Sequence, residues 1–262
     1  MTSAATLPRP TAGYRRVVEC MGTVFSFDIR TPGVGAAAVD EAEQWLRDVD
    51  ATFSTYRADS EISRLERGEI TMRQCSADVR TILAECEHLA VETGGWFSMY
   101  ATGRLDPSGL VKGWAIERAS DILARHGSIA HSVNGGGDVQ CAGDAAVGRP
   151  WRTGIAHPLL PGRLAGVVVG TGLAVATSGS AERGAHVLDP HTGRPPDGLA
   201  SVTVVGRRLA YTDAYATAAY AMGHGAQDFV EGLAGYAAFG VRVDGAMWCT
   251  SGWGNETGGS AG

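Results

Sequence analysis

A chain of 262 residues with 44% hydrophobic and 19% charged side chains has apolar content enough to bury a core, which excludes a disordered chain. A formal net charge of −6 excludes nucleic acid or an anionic membrane surface as the main partner. Five cysteines without a C-x-x-C pair (Cys20, Cys75, Cys86, Cys141 and Cys249) predict reduced thiols and a cytoplasmic protein. The opening MTSAATLPRPTAGYRR has no apolar signal region and no run is long enough to span a bilayer, so no membrane anchor is expected.

Residues 1–13 read as a flexible arm. VVECMGTVFSFDIR, residues 17–30, reads as a strand. The period then changes: Ala38, Ala42, Trp45, Leu46, Val49 and Phe53 share one helical face over 36–53. A second helix is expected from the N-cap Ser76 to the Gly94-Gly95 stop, burying Val79, Ile82, Leu83, Cys86 and Leu89. A third is expected from about Lys112 to Gly127. Residues 128–206 read as short strands and turns, among them HSVNGGG, DVQCAG, RLAGVVVG, LAVATS and SVTVV. TDAYATAAYAM, capped by Thr212, predicts a fourth helix; a short helix at 226–234 and the strand AAFGVRV follow. The tail 250–262 is expected to be disordered. With no repeat or linker, the prediction is one α+β domain over 14–249, a mixed or antiparallel sheet with packed helices.

Several stretches bear polar groups suited to chemistry, and each has a plainer reading. GVGAAA (33–38) has the form of a dinucleotide fingerprint, but no second strand ending in an acidic residue follows, so a glycine turn into a helix is favoured. Asp213 and Thr217, four apart, share a helix face; two hard oxygens suit a magnesium ion, while an aspartate in a first turn also complements the helix dipole. Gly135–Gly137 before Asp138 would allow close approach to a phosphate or simply make a tight hairpin. Asp106 precedes a glycine turn and Lys112 opens a helix, where it would meet a phosphate or solvent. HVLDPHTGRPP, 186–196, crowds His186 and Asp189 among prolines, either as a surface loop or as a stiffened platform.

The order of these stretches is specific. ECMGTVFSF, FSTYRADSEISRL, LDPSGLVKGWAIERA, VNGGGDV, ATSGSAER, HVLDPHTGRPP and TDAYATAAYAMG follow one another from about residue 20 to 243, and this succession resembles the ApbE family, the FAD:protein FMN transferases. The resemblance implies the ApbE-like (T-fold-like) version of the α+β domain. It also implies an enzyme that takes FAD with Mg2+, cleaves the pyrophosphate, attaches FMN to a threonine or serine hydroxyl of an acceptor flavoprotein, and releases AMP. By motif, Met21, Tyr56, Asp106 and Lys112 would contact FAD, with Ser98, Met99 and Tyr100 as further contacts and Val187 along the flavin or adenine path. Asp213, Thr217 and the Gly109 carbonyl would hold the metal. His186 would sit beside the reacting phosphate as the base, with Asp189 as the alternative. Two other outcomes remain open at this stage: an FAD pyrophosphatase giving FMN and AMP, and a non-catalytic FAD-binding protein. His186, Asp213 and Thr217 occurring together argue for catalysis over storage.

Overall fold

The segment read as one strand is a hairpin. In the computed structural model, which describes residues 13–180 and 187–254, strands β1 (Tyr14–Cys20) and β2 (Thr23–Ile29) pair antiparallel with Cys20 opposite Thr23. The two-residue turn, Met21 and Gly22, has φ of 52° and 67°. That left-handed pair matches the right-handed twist of the strands it joins, but it is uncommon for methionine.

Strands β3 (His131–Gly135), β4 (Asp138–Ala142), β7 (Ala174–Gly179), β8 (Leu199–Gly206), β9 (Ala237–Arg242) and β10 (Met247–Cys249) extend the hairpin into one eight-stranded antiparallel sheet. Its order is β1-β2-β3-β4-β7-β8-β9-β10. A separate hairpin, β5 (Trp151–Ala156) and β6 (Leu164–Gly170), was not fully legible in sequence: only β6 has a continuous apolar run.

Period-two alternation assigns the faces of the sheet. Phe25, Phe27, Val133, Val202 and Val204 belong to the main core with the helices. Val175, Val205, Phe239 and Val241 form a second cluster with Ile155 of β5 and Val168 of β6, so the small hairpin covers the opposite face.

The helices are α1 (Ala36–Phe53), α2 (Glu61–Glu66), α3 (Ala77–Glu92), α4 (Ser108–Arg125), α5 (Leu209–Met222) and α6 (Ala226–Glu231). Ser76 caps α3 as expected, its hydroxyl accepting from the N–H of Val79. Two helix starts differ from expectation. α4 begins at Ser108, whose N–H donates to Asp106 Oδ1 at 3.0 Å, so Lys112 lies within the helix. α5 begins at Leu209. Thr212 therefore does not cap it; its hydroxyl donates back to the Arg208 carbonyl from inside the first turn.

The expected tail boundary at 250 also falls inside packed structure. Thr250 is buried and accepts from the N–H of Ala238 at 2.9 Å, and Trp253 packs on Phe239. No helix among the described residues is long and apolar enough to cross a membrane.

Candidate active site

A cavity of about 780 Å³ opens where the β1–β2 turn, the end of α1, the segment before α4, the end of β7 and the helix α5 meet. It brings together Met21, Tyr56, Ser98, Asp106, Gly109, Lys112, Val187, Asp213 and Thr217, nine of the residues singled out in the sequence. Three others are not in its wall. Met99 is packed in the core, because the chain at this point turns inward to pair the Asp106 N–H with the Met99 carbonyl. Tyr100 points to solvent. Asp189 faces its own loop. His186 lies outside the described residues.

The chemistry of the cavity centres on three charges from three elements. Lys112 of α4 pairs with Asp138 of β4, and its Nζ stands 3.5 Å from Asp213 Oδ1 of α5. Neither carboxylate reaches solvent: the side chains of Asp138 and Asp213 are 0% and 2% exposed. Their remaining oxygens are occupied. Asp138 Oδ1 accepts from the N–H of Thr177 at 3.0 Å, and Asp213 Oδ2 from the N–H of Gly113 at 3.0 Å. Burial pushes the Asp213 carboxyl up to about 7, with Lys112 pulling it back and Asp138 raising it further. Two buried carboxylates sharing one ammonium make a pocket that attracts a further cation.

The donor set fits a hard divalent ion. Thr217 stands one turn after Asp213, and Gly109 lies so close that a Cβ there would sit 3.7 Å from Thr217 Cγ2. The N–H of Gly113, whose ordinary helical acceptor is the Gly109 carbonyl, donates to Asp213. Carboxylate, hydroxyl and carbonyl oxygens are what magnesium takes while keeping waters and a substrate phosphate. Among the described residues no three His, Cys, Asp or Glu side chains form a metal-holding group, so this is not an all-protein cage.

Close packing of α4 on α5 positions these groups. A Cβ at Gly113 would lie 2.5 Å from the Leu209 carbonyl oxygen and 2.9 Å from Asp213 Cβ. Any larger residue would push Asp213 away from Lys112.

The loop from Val187 is organised differently. The Asp189 carboxylate accepts from the N–H of His191 and the hydroxyl of Thr192, each at 2.8 Å, and its N–H donates to the Arg194 carbonyl. Burial raises its carboxyl, but the hydrogen bonds from Thr192 and His191 outweigh that and hold it below the usual carboxylate range. Both of its oxygens brace the turn. His191 then meets Trp96, a wall of the cavity, edge to face with centroids 4.5 Å apart.

The model of the ApbE family matches residues 21–102 and 99–239, together most of the chain. The chain belongs to the ApbE family. Its relatives in that family include the FAD:protein FMN transferase of Vibrio cholerae, 25% identical over 78% of this chain and 79% of that protein. The FAD:protein FMN transferase of Rhodobacter capsulatus is 29% identical, and the match covers 71% of this chain but 34% of that longer protein. Among solved structures, the flavin transferase ApbE from Vibrio cholerae superposes with a TM-score of 0.81 at 21% identity, over 94% of this chain and all of that one. An ApbE protein from Thermotoga maritima gives 0.80 at 18% identity, over 94% of this chain and 99% of that one. These likenesses establish the ApbE fold, a single mixed α+β domain.

Within the ApbE frame, two residues were left without a role by sequence reasoning. Asp138 was visible only as the residue after a glycine hairpin. Gly113 carried a signal that went unused: a glycine inside a helix costs about 1 kcal/mol and implies a close approach.

Proposed function

We propose that this chain transfers FMN from FAD to a threonine or serine hydroxyl of an acceptor flavoprotein, with Mg2+ bound and AMP released. The observation that carries the reading is the convergence of Asp213, Thr217, Gly109 and Lys112 in one cavity, with Asp138 buried behind Lys112 as its partner. Met21, Tyr56, Ser98, Asp106 and Val187 line the remainder, as a long dinucleotide requires.

In the reaction the acceptor oxygen attacks the phosphorus of the FMN half. The bond from that phosphorus to the bridging oxygen breaks, and AMP leaves with the electron pair. The hydroxyl proton passes to a base. Mg2+, when bound, supplies neutralisation of the charge that collects on the pyrophosphate oxygens. Asp213, Thr217 and the Gly109 carbonyl would hold it. Lys112 adds a fixed positive charge, oriented by Asp138. The base is assigned to His186 on the family motif alone; an intrinsic imidazole pKa of ~6.5 suits the role. Asp189, committed to its own turn, is disfavoured. A cytoplasmic setting belongs to the reading: the five cysteines are free thiols, three of them buried.

The test is AMP release from FAD with Mg2+, with and without a threonine-bearing flavinylation peptide fused to a carrier. AMP with a fluorescent carrier band on a denaturing gel is expected, and EDTA should remove both. AMP with no labelled carrier would replace transferase by pyrophosphatase. FAD binding with no AMP would reduce the protein to a flavin binder.

A further inference from the structure

The face of the sheet away from the helices carries a second cavity of about 450 Å³, walled by β5 and the residues after it. Its floor is polar. Ser26 of β2, Ser132 and Asn134 of β3, and Ser201 of β8 line it, on the side opposite the buried phenylalanines of β2. From β2 to β8 the groove crosses four interstrand steps, about 19 Å at ~4.8 Å each, the length of roughly six extended residues.

The groove and the first cavity lie against one another at the end of β7. Thr177 and Gly179 line both. The pairing of β4 with β7 is limited to Val139 with Val175 and Gln140 with Ala174, while β7 runs on to Gly179 beside β8. Past Val175, that edge of β7 meets the β3–β4 turn and the Asp138 side chain, with no strand partner among the described residues. The rim adds an apolar element: Leu159, Leu160 and Leu164, at the tip of the β5–β6 hairpin, stand exposed just beyond His157 and Pro158 of the groove wall.

We infer that the outer groove holds an extended segment of the acceptor protein, and that the end of β7 is where its hydroxyl enters the FAD cavity. The inference rests on the transferase reading above and adds the place of the second substrate. A peptide backbone needs hydrogen-bonding partners, which the hydroxyls and carboxamide of β2, β3 and β8 supply, while Val139 and Val175 between them would take an apolar side chain. The body of the acceptor would rest on the leucine tip, where solvent-facing apolar groups otherwise have no partner. An approach from this side also separates the two substrates, so that FAD need not leave its cavity to admit the acceptor.

Ser26→Tyr and Thr153→Tyr fill the groove from its floor and from its wall. FAD affinity, by quenching of flavin fluorescence, and carrier labelling against carrier concentration are measured for each. The expected result is a KM for the carrier raised at least tenfold in both, with the FAD Kd within twofold of wild type. An unchanged carrier KM in both variants would overturn the inference and place acceptor entry at the other mouth. Parallel loss of FAD binding and labelling in both would also overturn it, since the groove would then serve only the fold. Wild-type protein that releases AMP yet labels no carrier would remove the transferase reading itself, a result seen before any variant is compared.

Discussion

Two polar regions meet at the larger cavity, and they are built on opposite principles. The cluster of Lys112, Asp138 and Asp213 draws one side chain from each of three elements far apart in sequence, and burial makes each depend on the others. The loop after Val187 satisfies its polar groups within a few residues, Asp189 with His191, Thr192 and Arg194, close to solvent. Charges that cannot reach water are held in place by the fold and change properties when the fold changes. Charges tied into a local turn stiffen that turn and answer mainly to their near neighbours in sequence. Polar residues crowded together in sequence can satisfy one another locally, whereas buried charges that depend on one another come from elements far apart.

The largest effect expected is in the cluster's stability. Lys112→Met leaves two buried carboxylates facing each other, and chemical denaturation without metal should show a loss of about 3 kcal/mol. A loss under about 1 kcal/mol would mean the cluster is not coupled as described. Asp213→Asn should lower Mg2+-dependent AMP release by at least about 100-fold while the circular dichroism spectrum is kept. Retained activity would take Asp213 out of the metal site.

A buried group outside the cluster sharpens the contrast through pH. His131 is fully buried between the hydroxyls of Ser120 and Ser128, and burial lowers its pKa from 6.5 to about 4. The unfolded chain therefore takes up a proton at this residue between pH 6.5 and about 4 that the folded chain does not. Stability from His131 is full above 6.5 and falls as pH drops through that window, by a few kcal/mol. The stability gap between wild type and His131→Asn should narrow from pH 7 to 4; a constant gap would show that folding leaves the imidazole pKa unshifted.

Gly113→Ala should cost about 1–3 kcal/mol and weaken metal-dependent FAD binding, because the added methyl meets the Leu209 carbonyl and Asp213. Unaltered binding would separate helix packing from the placement of Asp213. The smallest effect is expected in the loop: Asp189→Ala should cost about 1 kcal/mol and slow transfer less than ~10-fold. A loss of ~100-fold or more would restore Asp189 as the base.

Much of this was legible along the chain. Ser76 marked the start of α3, the apolar stripe of α1 ran to Phe53 as read, and Asp213 and Thr217 shared a helix face by spacing. The failures have physical causes. The Met21-Gly22 turn carries no proline and no Asn-Gly or Asp-Gly pair to mark it, so a hairpin looked like one strand. Thr212 resembles an N-cap, but its hydroxyl bonds backward within a helix that packing extends to Leu209. Met99 and Tyr100 sat beside Ser98 in sequence, yet successive side chains there point to the core, to solvent and to the cavity.

The sequence by itself determined the family, the helix faces and the shared helix face of Asp213 and Thr217, because these depend on motif order and on local periodicity. Only the tertiary structure decided that Lys112 belongs with Asp138 and Asp213, that Gly113 sets the approach of α4 to α5, and that Asp189 serves its own turn. The reason is that burial and contact between distant elements have no period in the chain; they arise only when the sheet and helices pack.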